Sequence, residues 1–302
     1  MKYKCTVFRA FTYTLNMVAI DKLCFFNINN RLNLFLRAML KTTKYKNEKV
    51  TFFDKGKGKV VVLLHGYLGS HKIWEKTINN LSRSYRVIAI DLPGHGNTEC
   101  VGYAHSMELM AKCVKSVMDF LRLKKYAIIG HSMGGYVALA FADLYPDHLK
   151  GLCLYHSTSY ADSEEKKKDR LRAINAVKAN RGIYTKATIK NLFATKNLKY
   201  LKEEVAFATE IAKQTPKKGI IAALHGMRDR PRRDIILGLV EYPIMMVIGE
   251  EDNILPYDQL LEQAEFIKNK SVLYLEHDGH FGFLESPRES NKALRKFLRK
   301  VF

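Results

Sequence analysis

Six short, nearly continuous apolar runs recur along the chain, at 60–64, 86–90, 126–129, 149–155, 244–248 and 271–275. Unbroken runs of this length fit strands buried on both faces, the environment of a parallel sheet covered by helices. Between them the apolar positions change to helical spacing. Ile73, Trp74, Ile78 and Leu81 form one such set, and Leu109, Cys113, Val117, Phe120 and Leu121 form another within 106–123. A third, Ala-rich run leads to Tyr145 and is stopped by Pro146. Alternating strand and helix predicts an α/β fold with a mostly parallel central sheet and helices on both faces. From 157 to about 241 the strand pattern stops and charged helical runs such as 163–178 and 198–213 take over, which predicts a helical cap inserted into the sheet domain. The chain closes on a helix to Phe302, opened by Ser286-Pro287-Arg288-Glu289 with serine expected at the N-cap, proline at N1 and glutamate at N3.

Residues 1–38 lack a clean period and read as a peripheral arm or an upstream mis-start with Met39 as the true first residue; an N-terminal extension, disordered or a mis-start, is expected over 1–48 and the domain proper over 49–302. Arg9, Asn16, Asp21 and Lys22 interrupt any apolar core that a secretory signal would need, and no stretch approaches the roughly 20 apolar residues of a spanning helix. Stable membrane insertion is therefore not expected. The cysteines, Cys5, Cys24, Cys100, Cys113 and Cys153, are odd in number and lack C-x-x-C spacing, which points to a reducing compartment, the cytoplasm.

Charge changes the picture in one respect. The formal net charge is +20, and the insert at 157–241 alone carries 19 basic against 10 acidic residues, whereas 242–302 carries 8 against 10. No nucleic-acid-binding motif or compact basic stripe with interleaved aromatics accompanies this excess, so nucleic acid is not an expected partner. The remaining readings are a solvated cap face, as is usual for charge runs, or a field that favours anionic or carrier-bound substrates.

The candidate chemistry starts at Gly130-His131-Ser132-Met133-Gly134-Gly135, where a buried strand meets a helix through G-x-S-x-G. At roughly 7% glycine and similar serine usage, the bare pattern turns up by chance about one time in ten in a chain this long, so the strand-turn-helix setting decides. That turn lifts the serine hydroxyl above the sheet edge as a nucleophile, and its bland rival is a helix N-cap serine among packing glycines. A nucleophilic serine needs a base and a carboxylate to orient that base. Downstream, Asp252 stands in Gly249-Glu250-Glu251-Asp252 and His280 in Asp278-Gly279-His280-Phe281, each in a loop after a buried strand, where open α/β sheets place their sites.

From about Lys49 to Phe302 the sequence resembles the α/β-hydrolase superfamily, close to its single-domain serine esterases with a helical cap and its C–C hydrolases. His65-Gly66-Tyr67-Leu68-Gly69-Ser70, Asp91-Leu92-Pro93-Gly94-His95-Gly96, the Ser132 turn and the Asp252 and His280 loops carry the likeness, in order. The resemblance implies Ser132 as nucleophile, His280 as general base and then acid, Asp252 as its orienter, and the backbone N–H groups of Tyr67 and Met133 as the oxyanion hole. Glu250 or Glu251 remains an alternative acid. His277, Asp278 and His280 could also suggest a metal site, but no further ligands cluster in the sequence, so no metal or cofactor is expected. His65 and His95 read as loop braces. In the insert, Met227 is a candidate for lining the substrate pocket and Arg230 for bracing the cap, with packing or surface as the plain reading of each. The implied activity is hydrolysis of small carboxylic esters or thioesters through an acyl-enzyme. Its alternatives are C–C bond hydrolysis or lysis of an acidic metabolite with the same triad, and a non-catalytic ligand-binding protein on the same scaffold. Oligomeric state is not legible.

Overall fold

A computed structural model of the chain describes residues 39–302; the expectations for residues 1–38, including Cys5 and Cys24, lie outside the described residues. The six apolar runs are the strands β3 (Val60–Leu64), β4 (Arg86–Ile90), β5 (Tyr126–His131), β6 (Leu149–Tyr155), β7 (Ile244–Gly249) and β8 (Lys270–Leu275). β3, β5 and β7 are buried at every position, as unbroken apolar runs require. Two strands precede them, β1 (Leu40–Tyr45) and β2 (Glu48–Lys55). The sheet therefore begins before residue 49, and the extension expected over 1–48 ends too late. Lys46 and Asn47, with φ of 50° and 69°, form the two-residue turn between them.

The strand order is β1-β2-β4-β3-β5-β6-β7-β8, with β2 antiparallel to β4 and β3 through β8 mutually parallel. The chain moves one way from β3 to β4 and the opposite way from β4 to β5. Because such crossovers are right-handed, the helix α1 (Glu75–Leu81) falls on one face, and α2 (Met107–Phe120) and α3 (Met133–Leu144) fall on the other. The reversal makes the carboxyl ends of neighbouring β3 and β5 the switch point, where open sheets hold ligands.

The insert between β6 and β7 consists of α4 (Glu164–Asn191), α5 (Lys202–Lys213), α6 (Lys217–Arg228) and α7 (Asp234–Leu239). α4 runs well past residue 178 but is broken at Asn180, whose φ of −152° and ψ of 95° are non-helical. The Asn180 Oδ1 accepts the Ile183 N–H at 3.0 Å, so the second half of α4 has its own side-chain cap. The last elements are α8 (Tyr257–Glu265), the single turn α9 (Gly282–Glu285) and α10 (Pro287–Val301). Ser286 precedes Pro287 but does not cap α10: its hydroxyl donates to Asp278 Oδ1 at 2.8 Å, drawn away by a buried carboxylate. Among the described residues no helix is long and apolar enough to cross a membrane.

Candidate active site

Ser132 joins β5 to α3 with φ 51° and ψ −117°, a left-handed conformation that a residue with a Cβ adopts only under constraint. The constraint is visible. The Ser132 N–H donates to the Tyr155 carbonyl at 3.0 Å, and the Ser132 carbonyl accepts from Ser157 Oγ at 2.8 Å. The turn also sits directly on its neighbours, since a Cβ on Gly130 would lie 2.3 Å from the Gly134 carbonyl oxygen and one on Gly134 2.3 Å from that of Leu64. Those two positions admit only glycine.

His280 follows β8 and donates from Nδ1 to Asp252 Oδ2 at 2.7 Å; both side chains are almost wholly buried. Asp252 Oδ1 accepts the N–H groups of Ile254 and Leu255 at 2.8 and 3.2 Å. Burial opposes ionisation of Asp252, but the His280 and His156 rings and the Ile254 N–H overcome it and hold the carboxyl below its ordinary value. The alternatives Glu250 and Glu251 stay at the surface, with Glu251 paired to Lys196 at 2.7 Å. Ser132 and His280 line one cavity of about 190 Å³, together with Tyr67, Met227 and the cap residues of α4. No hydrogen bond joins Ser132 to His280: among the described residues His280 Nε2 is buried without a partner. The Tyr67 and Met133 N–H groups flank the same turn, after β3 and at the start of α3, and neither donates to a protein acceptor among the described residues. Arg230 donates to Asp162 at 2.6 Å and to the Met227 carbonyl at 2.8 Å, tying the end of α6 to the segment before α4. His65 joins two loops, its Nε2 accepting the Leu92 N–H at 2.9 Å, and His95 contacts the Pro93 carbonyl within its own loop.

Three residues around the site were not anticipated. His131 Nε2 donates to the carbonyl of His280 at 2.8 Å, fixing the loop from below. Glu285 accepts from Gly279 N–H and Phe281 N–H on either side of His280, and from Ala194 N–H of the insert. His280 N–H itself donates to the Leu192 carbonyl at 2.8 Å, so the insert and the histidine loop are stitched together. His156, at the end of β6, is fully buried with Nδ1 3.8 Å from Asp252 Oδ2, while its Nε2 accepts the Gly282 N–H at 3.3 Å. Its ring fits because positions 249 and 282 lack side chains: a Cβ there would come within 2.9 and 2.6 Å of it. Burial pushes His156 down to about 3, against the pull of Asp252, so it is neutral, and the accepting Nε2 places its proton on Nδ1, toward the carboxylate. The signal for His156 was of the kind that selected Asp252 and His280, a titratable residue soon after a strand, here immediately after β6.

The family model of the α/β hydrolase fold matches residues 59–176. The chain is also similar to a thermophilic esterase from Thermogutta terrifontis, solved with malate bound, at 30% identity and a TM-score of 0.81 over 87% of this chain and 97% of that one. The chain belongs to the α/β-hydrolase superfamily. Within that superfamily it resembles the 2-hydroxy-6-oxononadienedioate/2-hydroxy-6-oxononatrienedioate hydrolase of Paraburkholderia phymatum, 26% identical over 85% of this chain and 96% of that protein. It is 30% identical to the dihydrolipoyllysine-residue acetyltransferase component of the acetoin cleaving system of Pseudomonas putida, over 80% of this chain but only 64% of that protein's length. Esterase-type and C–C-hydrolase-type proteins thus both stand among its relatives.

Proposed function

We propose that this α/β-hydrolase is a serine hydrolase that cleaves small carboxylic esters or thioesters through an acyl-enzyme on Ser132. One observation carries the reading: Asp252 holds the His280 ring by Nδ1, leaving Nε2 without a partner among the described residues in the cavity that the constrained Ser132 also lines. In this reading His280 Nε2 takes the Ser132 proton as Oγ attacks the substrate carbonyl, and passes it to the departing alcohol or thiol as the C–O or C–S bond breaks. Water, deprotonated by His280, then releases the acid from Ser132. The free N–H groups of Tyr67 and Met133 stabilise the oxyanion in both steps. Met227 on the cavity wall contacts the acyl group. No cofactor enters the cycle. The thiols of Cys100, Cys113 and Cys153 are free, which supports a cytoplasmic setting. The insert's excess of basic residues supports a preference for anionic small molecules.

A fluorophosphonate probe is expected to label Ser132, with labelling and ester turnover both abolished in Ser132→Ala and turnover lost in His280→Ala. Labelling that survives in the alanine variant refutes the assignment, and absence of labelling in the parent chain favours a non-catalytic binding protein. The Paraburkholderia relative supports a second reading, hydrolysis of a C–C bond in an acidic 2-hydroxy-6-oxo compound with the same triad. Faster turnover of such a compound than of any short ester would favour it.

A further inference from the structure

We propose that Arg170, assisted by Lys166, forms a carboxylate subsite inside the Ser132 cavity, and that the preferred substrates are short esters whose acyl group ends in a carboxylate. This rests on the hydrolase reading above and adds to it the identity of the acyl group.

Arg170 lies in the first half of α4 and lines the cavity that Ser132 and His280 also line. Its Nε donates to Asp162 Oδ2 at 3.0 Å, and this is its one protein hydrogen bond among the described residues. A guanidinium carries five N–H donors, so four remain without a protein acceptor. Asp162 is shared, because its Oδ1 accepts from Arg230 Nη1 at 2.6 Å. Arg230 is itself short of acceptors: its Nε is buried without a partner among the described residues, and its guanidinium lies 4.0 Å over the Tyr136 ring. One carboxylate thus serves two guanidiniums at a place where the Arg170, Asp162 and Arg230 side chains are 15%, 3% and 5% exposed. A positive charge is left over in a poorly hydrated setting, which is costly unless another anion meets it.

The other charged groups on the cavity do not cancel that excess. Asp169 is half exposed and already bonded to Arg172 at 2.6 Å. Lys166 has no ion pair among the described residues and adds a second cation to the same wall. A planar fork with free donors matches a carboxylate bidentately, and lysine supplements it as a point charge. Size sets the length of the ligand. About 190 Å³ is small beside the roughly 300–1,000 Å³ of ordinary ligand pockets, which leaves room for an acyl chain of a few carbons between Ser132 and Arg170. The carboxylate belongs on the acyl side because that part stays bonded to Ser132 in the cavity while the alcohol departs.

The test compares kcat/KM for mono-p-nitrophenyl glutarate and p-nitrophenyl pentanoate, anionic and neutral esters of matched length, at low ionic strength. The parent chain is expected to favour the glutarate ester. Arg170→Gln is expected to lower the ratio of the two values about 10- to 100-fold, the range for losing a hydrogen-bonded charge, with the change in KM of the anionic ester. Arg170→Lys, which keeps the charge but not the fork, is expected to lose part of the preference, and it decides the matter where Arg170→Gln does not fold. Equal values for the two esters in the parent chain, or a ratio unmoved by either substitution, overturns the proposal and leaves Arg170 a cap brace. Should no ester be turned over and no fluorophosphonate bind Ser132, the hydrolase reading is what fails. Calorimetric titration of glutarate then judges the subsite alone: binding to the parent and not to Arg170→Gln upholds it, and no binding to the parent overturns it.

Discussion

The constrained backbone of Ser132 predicts a variant that is more stable and inactive. With φ 51° and ψ −117°, Ser132 occupies a region that costs about 1–3 kcal/mol for a residue with a Cβ. Ser132→Ala removes the hydroxyl but keeps the Cβ, and so keeps the strain. Ser132→Gly removes both, at a cost of about 0.5–1 kcal/mol for the extra freedom glycine brings to the unfolded chain. The difference leaves the glycine variant ahead of the alanine variant by about 0–2.5 kcal/mol, centred on about 1. The Ser132 hydroxyl makes no hydrogen bond among the described residues, so its loss does not blur the comparison. Equilibrium unfolding in urea reads the difference as a higher midpoint at unchanged slope, and thermal unfolding as roughly 2–4 °C per kcal/mol. Both variants are expected to lose ester turnover. A glycine variant no more stable than the alanine variant would show that the turn carries no strain for the site to release.

Asp278 offers a pH test. Burial raises its carboxyl from the usual 3.8 to about 6, against the hydrogen bond from Ser286, so the folded chain holds this proton more tightly than the unfolded chain. The stabilisation is present in full below pH 3.8 and is lost as pH rises through about 6; the unscreened shift amounts to about 3 kcal/mol, cut to about 1–2 by solvent. Asp278→Asn is therefore expected to gain stability relative to the parent between pH 4 and 7, and a flat difference across that range refutes the shift. His156→Ala leaves the Gly282 N–H unpaired, for about 1–3 kcal/mol, and removes the ring facing Asp252; denaturation midpoint and kcat should both fall, and an unchanged kcat would make the ring mere packing. Asp252→Asn is expected to retain more turnover than His280→Ala, since the orienting acid contributes least within such a triad. A chain starting at Met39 keeps all eight strands and is expected to retain ester turnover, whereas insolubility or inactivity would assign residues 1–38 a part in the fold or the site.

Much of this architecture was legible because burial on both faces writes itself as unbroken apolar runs, as at Val60–Leu64 and Ile244–Gly249. The β1–β2 hairpin escaped because β1 is short and mostly polar, with Lys41, Thr42 and Lys44 exposed and no position fully buried, and its turn uses Lys46 and Asn47 where glycine would have signalled it. Ser132, Asp252 and His280 could be picked out as candidates because each stands in a turn or loop after a strand and carries the right chemistry. His156 met the same criterion, but no motif drew attention to it. The carboxylate subsite could not be read at all. The insert's charge was countable, yet which of its 19 basic residues line the cavity depends on how α4 packs over the sheet and on the Asp162 carboxylate that holds Arg170, neither of which the sequence shows.

The bonds between the insert and the histidine loop bear on how the protein loses function on heating. The His280 amide hangs on the Leu192 carbonyl, and Glu285 spans from Ala194 to the residues flanking His280. A cap of surface helices opens locally at lower free energy than a buried sheet melts. When the segment around Leu192 lets go, the histidine loses its register while the strands beneath remain paired. Inactivation should therefore run ahead of unfolding: residual ester turnover declines at temperatures where the far-ultraviolet signal is still native, and it returns on cooling because the sheet has kept its place.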